Sequence, residues 1–305
     1  MTTTTQERSA RVEQLNRASL RKVIEPDTDL VGTFTRDQIV PDELLSIAGL
    51  GLSLSPEQKA TLAKEELASI LRVGVLFEVV LIAGFAFQLS VAEDVGDPRF
   101  VYALHEIGEE TRHSRLFVRL IEQLEPTQFN PFQSKTARRV RSIMLPALLR
   151  RPATLDAFVL GGEEIPDLLQ RLLADHADTD EYVRAVNRYH RMEEARHLAF
   201  ARTTVGEHYR TTGWTDRFAV DAIVPIGIAG MFDMMVQPFV YRTVGLPVLR
   251  TWRQVRRSPE RTALKLQATR AVLNALLAAG LYERRSVPPM WRKVARVDRT
   301  GQPLS

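Results

Sequence analysis

One short pattern, met twice, constrains this chain more than any other feature. Glu109-Glu110-Thr111-Arg112-His113 and Glu193-Glu194-Ala195-Arg196-His197 share the arrangement Glu-Glu-x-Arg-His. Each lies inside a stretch that reads as a long helix. Residues three apart in a helix differ by about 60° around the axis. Glu110 with His113, and Glu194 with His197, therefore each turn a carboxylate and an imidazole to one side. A single Glu-x-x-His is common on solvated helix faces, where it forms local pairs. Two of them, in two long helices, ask for a shared cause. The second copy is extended, because His190 lies one turn before Glu194, so that His190, Glu194 and His197 form one stripe. The equivalent position before Glu110 is Glu106.

Each copy follows another helix that carries an acid among apolar residues. Glu78 lies in Leu76-Phe77-Glu78-Val79-Val80, and Glu163 and Glu164 lie in Val159-Leu160-Gly161-Gly162-Glu163-Glu164-Ile165-Pro166. A charge in such surroundings costs several kcal/mol unless it is paired or metal-bound. Glu78 precedes Glu110, and Glu163 precedes Glu194, by nearly the same number of residues. That match favours Glu163, with Glu164 as the alternative. The chain thus reads Glu followed by Glu-x-x-His, twice. This is the pattern of a four-helix bundle holding two metal ions, one Glu from each of two helices and Glu-x-x-His from each of the others. The chain has no cysteine and six histidines. Disulfides, thiolate-bound zinc, iron–sulfur clusters and thiol nucleophiles are excluded. Carboxylates and imidazoles suit iron or manganese. Glu109 and Glu193 fall out of register with these pairs and are expected to meet Arg112 or Arg196. His105, His176 and His208 lie off the stripes. Asp167, Asp221 and Asp233 are candidates to hold ligand histidines from behind.

The rest of the chain reads as all-α, a ferritin-like four-helix bundle with additional C-terminal helices. Ser55-Pro56-Glu57-Gln58 is a capping box with proline at the first helical position. It opens a helix to about Glu93. Asp97-Pro98 opens a second, to about Leu124. A shorter helix runs to Arg150, a third long one from Pro152 to about Asp175, and a fourth from about Glu181 to Tyr209. Trp214 to Tyr241 and Pro259 to Leu281 read as further helices. Pro166 should leave the Gly162 carbonyl unbonded and kink its helix. We expect a partly disordered lead-in over 1–35 and a single helical dimetal domain over 36–282. Within it, the metal-binding bundle spans about 55–210 and the accessory helices 214–282. An Arg-rich tail fills 283–305. The apolar run from Val73 to Val91 is interrupted by Glu78, and its charge-free part is shorter than the roughly 20 residues a membrane span needs. The run from Phe218 to Val240 carries Asp221, Pro225 and Asp233. Neither is expected to span a membrane. The polar N-terminus lacks the apolar core of a signal peptide, so the expected compartment is the cytoplasm. A nucleic-acid partner on the arginines around Arg138–Arg151 or Arg253–Arg257 is not expected, since acidic residues are nearly as numerous as basic ones.

With these residues laid out, the chain resembles the AurF-like non-haem diiron oxygenases, the p-aminobenzoate N-oxygenase family. The specific feature is the third histidine, in His190-x-x-x-Glu194-x-x-His197, and the resemblance covers roughly Ser55 to Tyr209. It implies two iron ions, or iron with manganese, held by Glu78, Glu110, His113, Glu163, His190, Glu194 and His197. On this reading Glu110 and Glu194 bridge, His113 binds one iron, and His190 and His197 bind the other. The resemblance also implies O2 activation, an aryl-amine nitrogen as the acceptor of oxygen, and a homodimer. Electrons must come from an external donor, since no Rossmann-type glycine fingerprint is apparent. Arg72 is a candidate to meet an anionic substrate. A diiron hydroxylase or desaturase on another apolar substrate, and a ferritin-like ferroxidase, share the same bundle and are the alternatives.

Overall fold

The computed structural model describes residues 3–21, 23–283 and 285–304. The elements are α1 (Thr3–Arg21), α2 (Pro26–Asp29), α3 (Pro56–Ser90), α4 (Pro98–Leu124), α5 (Lys135–Leu149), α6 (Pro152–Asp175), α7 (Glu181–Thr211), α8 (Trp214–Phe218), α9 (Val224–Met234), α10 (Val248–Arg257), α11 (Pro259–Ala278) and α12 (Pro289–Ala295). The fold is all-α, with no β-strand among the described residues. The start signals do what their chemistry requires. Ser55 Oγ accepts from Gln58 N while the Gln58 side chain accepts from Ser55 N. Asp97 caps α4 by accepting from Arg99 N. Proline occupies the first turn of α3, α4, α6 and α11, where its missing N–H is not needed.

The bundle is made of two helix pairs, α3 along α4 and α6 along α7, which meet through α4–α7 and α3–α6 contacts. The core of one end holds Tyr102, Leu155, Leu160 and Phe200, and that of the other Leu62, Leu116, Val183 and Tyr241. Behind α6 lie α9 and α11. Gly161 permits this approach, because a Cβ there would come within 2.0 Å of Ile228 Cδ1 on α9. The accessory layer is thereby pressed against α6 two residues from Glu163. Glu66 of α3 accepts from Ser46 N at 2.8 Å and from the Ser46 hydroxyl, which also meets the Tyr241 hydroxyl at 3.0 Å. This ties the segment before α3 to the accessory region.

Three stretches differ from the sequence expectation. The lead-in contains α1, whose Val12 and Leu15 are buried and whose Asn16 donates to the Pro98 carbonyl at 2.9 Å. The two apolar residues three apart make a narrow stripe that suffices once α4 is there to receive it. Met1, Thr2 and Lys22 of that lead-in, and Arg284 and Ser305 of the C-terminal tail, lie outside the described residues. The Arg-rich tail contains α12, whose Trp291 is fully buried and donates through Nε1 to the Val220 carbonyl at 3.0 Å. The helix expected over Trp214 to Tyr241 is broken. It passes through a π-turn at Ala219–Ile223 and ends before a 3-10 turn at Pro238–Val244. Pro225 cannot donate to the Asp221 carbonyl and its ring would strike it, so the wider turn resolves the conflict. By length and composition, Pro56–Ser90 and Trp214–Val244 could each cross a membrane. Here the first carries the buried Glu78, and the second sends Val220, Ile228 and Phe232 into the core.

Asp180 joins the start of α7 to the chain before the bundle. Its Oδ1 accepts from Tyr182 N and Val183 N. Its Oδ2 accepts from Thr35 N at 2.7 Å, Thr35 Oγ1 at 2.9 Å and Arg36 N at 3.0 Å. Burial pushes the carboxyl up, but these donors outweigh it and hold it below its ordinary value. Asp180→Ala should cost roughly 2–4 kcal/mol of stability in urea unfolding. The depressed group stabilises the fold above its unfolded value of about 3.9 and loses that contribution as pH falls through the folded one. Asp180→Asn should therefore flatten the acid limb of the stability–pH curve. An unchanged limb would show that Asp180 is not its source.

Candidate metal centre

Four helices each deliver acids or histidines to one buried region. α3 carries Glu78, and α6 carries Glu163. α4 carries Glu106, Glu109, Glu110 and His113, and α7 carries His190, Glu193, Glu194 and His197. None of the ten is more than 5% exposed. Eight of them, all but Glu109 and Glu193, offer donor atoms that fall into two groups, each with all members within 4.8 Å of one another. One group is Glu78, His113, His190 and Glu194, and the other is Glu106, Glu110, Glu163 and His197.

Glu110 and Glu194 span both groups. His113 Nδ1 lies 3.1 Å from Glu110 Oε2 and 3.1 Å from Glu194 Oε1. His197 Nδ1 lies 3.0 Å from Glu110 Oε1 and 3.0 Å from Glu194 Oε2. Each carboxylate thus sends one oxygen to each imidazole. The i,i+3 spacing sets the contact within each helix, and the α4–α7 packing sets the contact across.

The outer nitrogens of these two histidines are held in a crossed arrangement. His113 Nε2 donates to Glu193 Oε2 at 3.0 Å, and the Tyr189 hydroxyl donates to the same oxygen at 2.9 Å. His197 Nε2 donates to Glu109 Oε2 at 2.8 Å. Arg112 Nη2 lies 3.4 Å from Glu193 Oε1, and Arg196 Nη2 lies 2.9 Å from Glu109 Oε1. Each copy of Glu-Glu-x-Arg-His therefore supports the histidine of the other. An ionised carboxylate only accepts, so the Nε2 protons are fixed and Nδ1 faces the centre. His190 is turned the other way. Its Nδ1 donates to Gln170 Oε1 at 3.1 Å, and its Nε2 lies 3.3 Å from Glu78 Oε1 and 3.2 Å from Glu194 Oε1. Phe117 stacks on its ring at 4.9 Å, in space left by Gly74.

The electrostatics follow from burial and from these contacts. Burial raises Glu78 and Glu163 well above the usual carboxylate range, and the charges of Glu110 and Glu194 add to it. Burial also lifts Glu106, to about 8. For Glu110, burial and the Glu194 charge are outweighed by His197 and His113, and its carboxyl comes down to about 2. Glu194 is lowered likewise, burial being overcome by His197 and His190. His113 and His197 are raised, because their carboxylate partners exceed the cost of burial. Burial and the nearby His113 charge bring His190 down to about 4, so it is neutral with a free Nε2 lone pair.

The donor set fits a pair of metal ions on an observation independent of its pattern. Both oxygens of Glu106 and Oε1 of Glu163 are buried without a hydrogen-bond partner, and Oε1 of Glu110 and of Glu194 faces imidazole nitrogen without a well-aligned hydrogen bond. Buried polar atoms are rarely left so, and a bound ion is one of the standard reasons.

The structure brings all seven residues singled out from the sequence to this region. Glu163 turns inward while Glu164 meets Arg202 at 2.6 Å. The expected sharing of one metal by His190 and His197 is not what the geometry gives. Two helical turns, roughly 10 Å of rise, separate them, and His190 lies instead beside His113, with ring centroids 4.2 Å apart. Asp167, Asp221 and Asp233 do not hold ligand histidines. They meet Arg191, Arg285 and Lys265, respectively. Gln170, Glu109 and Glu193 take that role. His208 meets Asp156 at 2.7 Å, away from the centre. Glu106 went unassigned in the sequence, although its equivalence to His190 was there to be read.

A cavity reaches Glu78 and His190 from one side. Its walls are apolar, with Phe77, Phe117, Leu169 and Met235 among them, and Gln170 and Asn187 are its other polar side chains. Gly162 and Pro166 also line it, within a helix that stays continuous. Among the described residues, no Lys or Arg lines it. Arg72 instead donates to the Gln128 carbonyl at 3.2 Å.

Residues 5–280 match the family described as P-aminobenzoate N-oxygenase AurF. The chain is also 26% identical over 188 residues to an uncharacterized protein of Mycobacterium tuberculosis and to an uncharacterized protein of Mycobacterium bovis. The matched region covers 60% of this chain and 54% of each relative, so it spans about half the length of the curated relatives it matches.

Proposed function

Since the chain belongs to the family described as P-aminobenzoate N-oxygenase AurF, we propose that it is an O2-activating diiron oxygenase that oxidises the nitrogen of an aryl amine. The observation that carries this reading is the pair of buried donor groups spanned by Glu110 and Glu194. Glu78, His113, His190 and Glu194 would hold one iron, and Glu110, Glu163 and His197 would hold the other. The irons supply O2 reduction and oxygen transfer, with electrons from an external donor. The remaining work belongs to the protein. Loading requires that protons leave His113 Nδ1, His197 Nδ1, Glu78 and Glu163. Glu193 and Glu109 keep the Nε2 protons in place, so both imidazoles stay oriented toward the centre. The apolar cavity excludes water and orients the substrate beside Glu78 and His190, where Asn187 offers a hydrogen bond. We read the protein as cytoplasmic and homodimeric.

The cavity also narrows the substrate. A carboxylate buried there would find no Lys or Arg among the described residues, at a cost of several kcal/mol. The amine is therefore uncharged at its far end. The test is metal analysis, followed by reduction and exposure to O2 with anilines that differ only in a ring carboxylate. About two metal ions per chain are expected. Neutral anilines should gain oxygen on nitrogen, with kcat/KM at least about 100-fold above their carboxylates. Absence of bound metal would sink the oxygenase reading. Equal turnover of both series would sink the neutral-substrate reading, and oxygen found on carbon would favour a hydroxylase.

A further inference from the structure

We infer that Glu106 is an additional metal ligand of this chain, completing a second metal position that is richer in carboxylate than the first. The inference rests on the diiron reading above and extends it. Glu106 is fully buried, and neither of its oxygens has a hydrogen-bond partner. A donor oxygen of Glu106 lies within 4.8 Å of donor atoms of Glu110, Glu163 and His197. The nearest tyrosine on its own helix face, Tyr102, also has a buried hydroxyl without a partner, so no bond joins the two. A carboxyl placed there for packing alone would be a poor choice, since a leucine would fill similar space without the desolvation cost.

The internal repeat gives the same answer from a different direction. Glu106 stands four residues before Glu110, as His190 stands four residues before Glu194. In an α-helix that spacing places both members of each pair on one face. His190 is in the group of Glu78 and His113, and Glu106 is in the group of Glu163 and His197. The two positions are thus built on one plan and differ in one residue. The first offers two imidazoles, His113 and His190. The second offers one, His197, with three carboxylates. Carboxylate-rich sets suit manganese, and imidazole-rich sets suit iron or zinc. The second position should therefore be the more tolerant of manganese.

The test adds Mn(II) or Co(II) anaerobically to metal-free protein and counts bound ions by elemental analysis and, for Mn(II), by the loss of the free-ion EPR signal. Wild-type protein should take two ions. Glu106→Gln should keep one at wild-type affinity and bind the other at least about 10–100-fold more weakly, the range that loss of even an outer partner produces. Glu106→His should bind two again, with the weaker position shifted from Mn(II) toward Co(II). Metal-free Glu106→Gln and Glu106→Leu should melt no lower than wild type, since Glu106 has no partner to lose. Two Mn(II) bound by Glu106→Gln at wild-type affinity would overturn the inference. So would unfolding of both the Gln and the Leu variants, which would make the residue structural. Wild-type protein that binds no metal would instead overturn the diiron reading itself.

Discussion

Glu194→Ala should abolish loading of both metal positions. Its two oxygens lie beside His113 Nδ1 and His197 Nδ1, and Oε1 is also 3.2 Å from His190 Nε2. Among the described residues, no other is paired with all three imidazoles. Removal of an outer partner of a ligand costs about 10–100-fold in affinity, so removal of a donor shared by both positions should exceed that clearly. Iron counted after anaerobic loading and desalting should fall from about two per chain to less than one. The metal-free variant should also be destabilised, by about 3–5 kcal/mol, because the buried histidines lose a paired charge. Glu194→Gln keeps the volume and separates the two effects. It should recover part of the stability and none of the metal. Two irons bound to Glu194→Ala with unchanged affinity would remove Glu194 from the centre.

The second large effect concerns the crossed support. Glu193→Ala leaves His113 Nε2 and Arg112 without their acceptor, on the opposite helix. Metal affinity should fall about 10–100-fold. The crossing makes a stricter demand through double-mutant cycles on metal-free stability. Glu193→Ala and His113→Ala should couple by about 1 kcal/mol or more, whereas Glu193→Ala and His197→Ala, linked only through Arg196 and Glu109, should couple more weakly. Glu109 should show the mirror image, coupled more strongly to His197 than to His113. Stronger coupling of Glu193 to His197, its neighbour on the same helix, than to His113 would contradict the arrangement.

Much of this centre was legible because helical spacing is local. Glu110 with His113, and Glu194 with His197, needed only the helix period. Glu78 needed only the cost of a carboxylate between Phe77 and Val79. What could not be read was everything decided by how α4 lies against α7. The support of His113 by Glu193 is of that kind, and so is the grouping of His190 with His113. The sequence places His190 and His197 on one stripe, but a stripe two turns long is longer than one ion's reach. The same limit applies to the fold. Capped starts at Ser55 and Asp97 were visible, since caps act within a few residues. The burial of Val12 and Trp291 was not, since their partners on α4 and around Val220 are remote in the chain.

The crossed wiring bears on how the molecule can be divided. Each donor group takes two residues from the first half of the bundle and two from the second. Neither repeat owns a metal position, although each carries a complete-looking motif. A chain cut within α5, in the connection between the halves, would leave two fragments with the right residues and no site. Metal uptake would then require the fragments to reassociate, so that binding would report on their assembly. The repetition visible in the sequence is thus not modularity. What is repeated is half of each position, and the unit that functions is the pair.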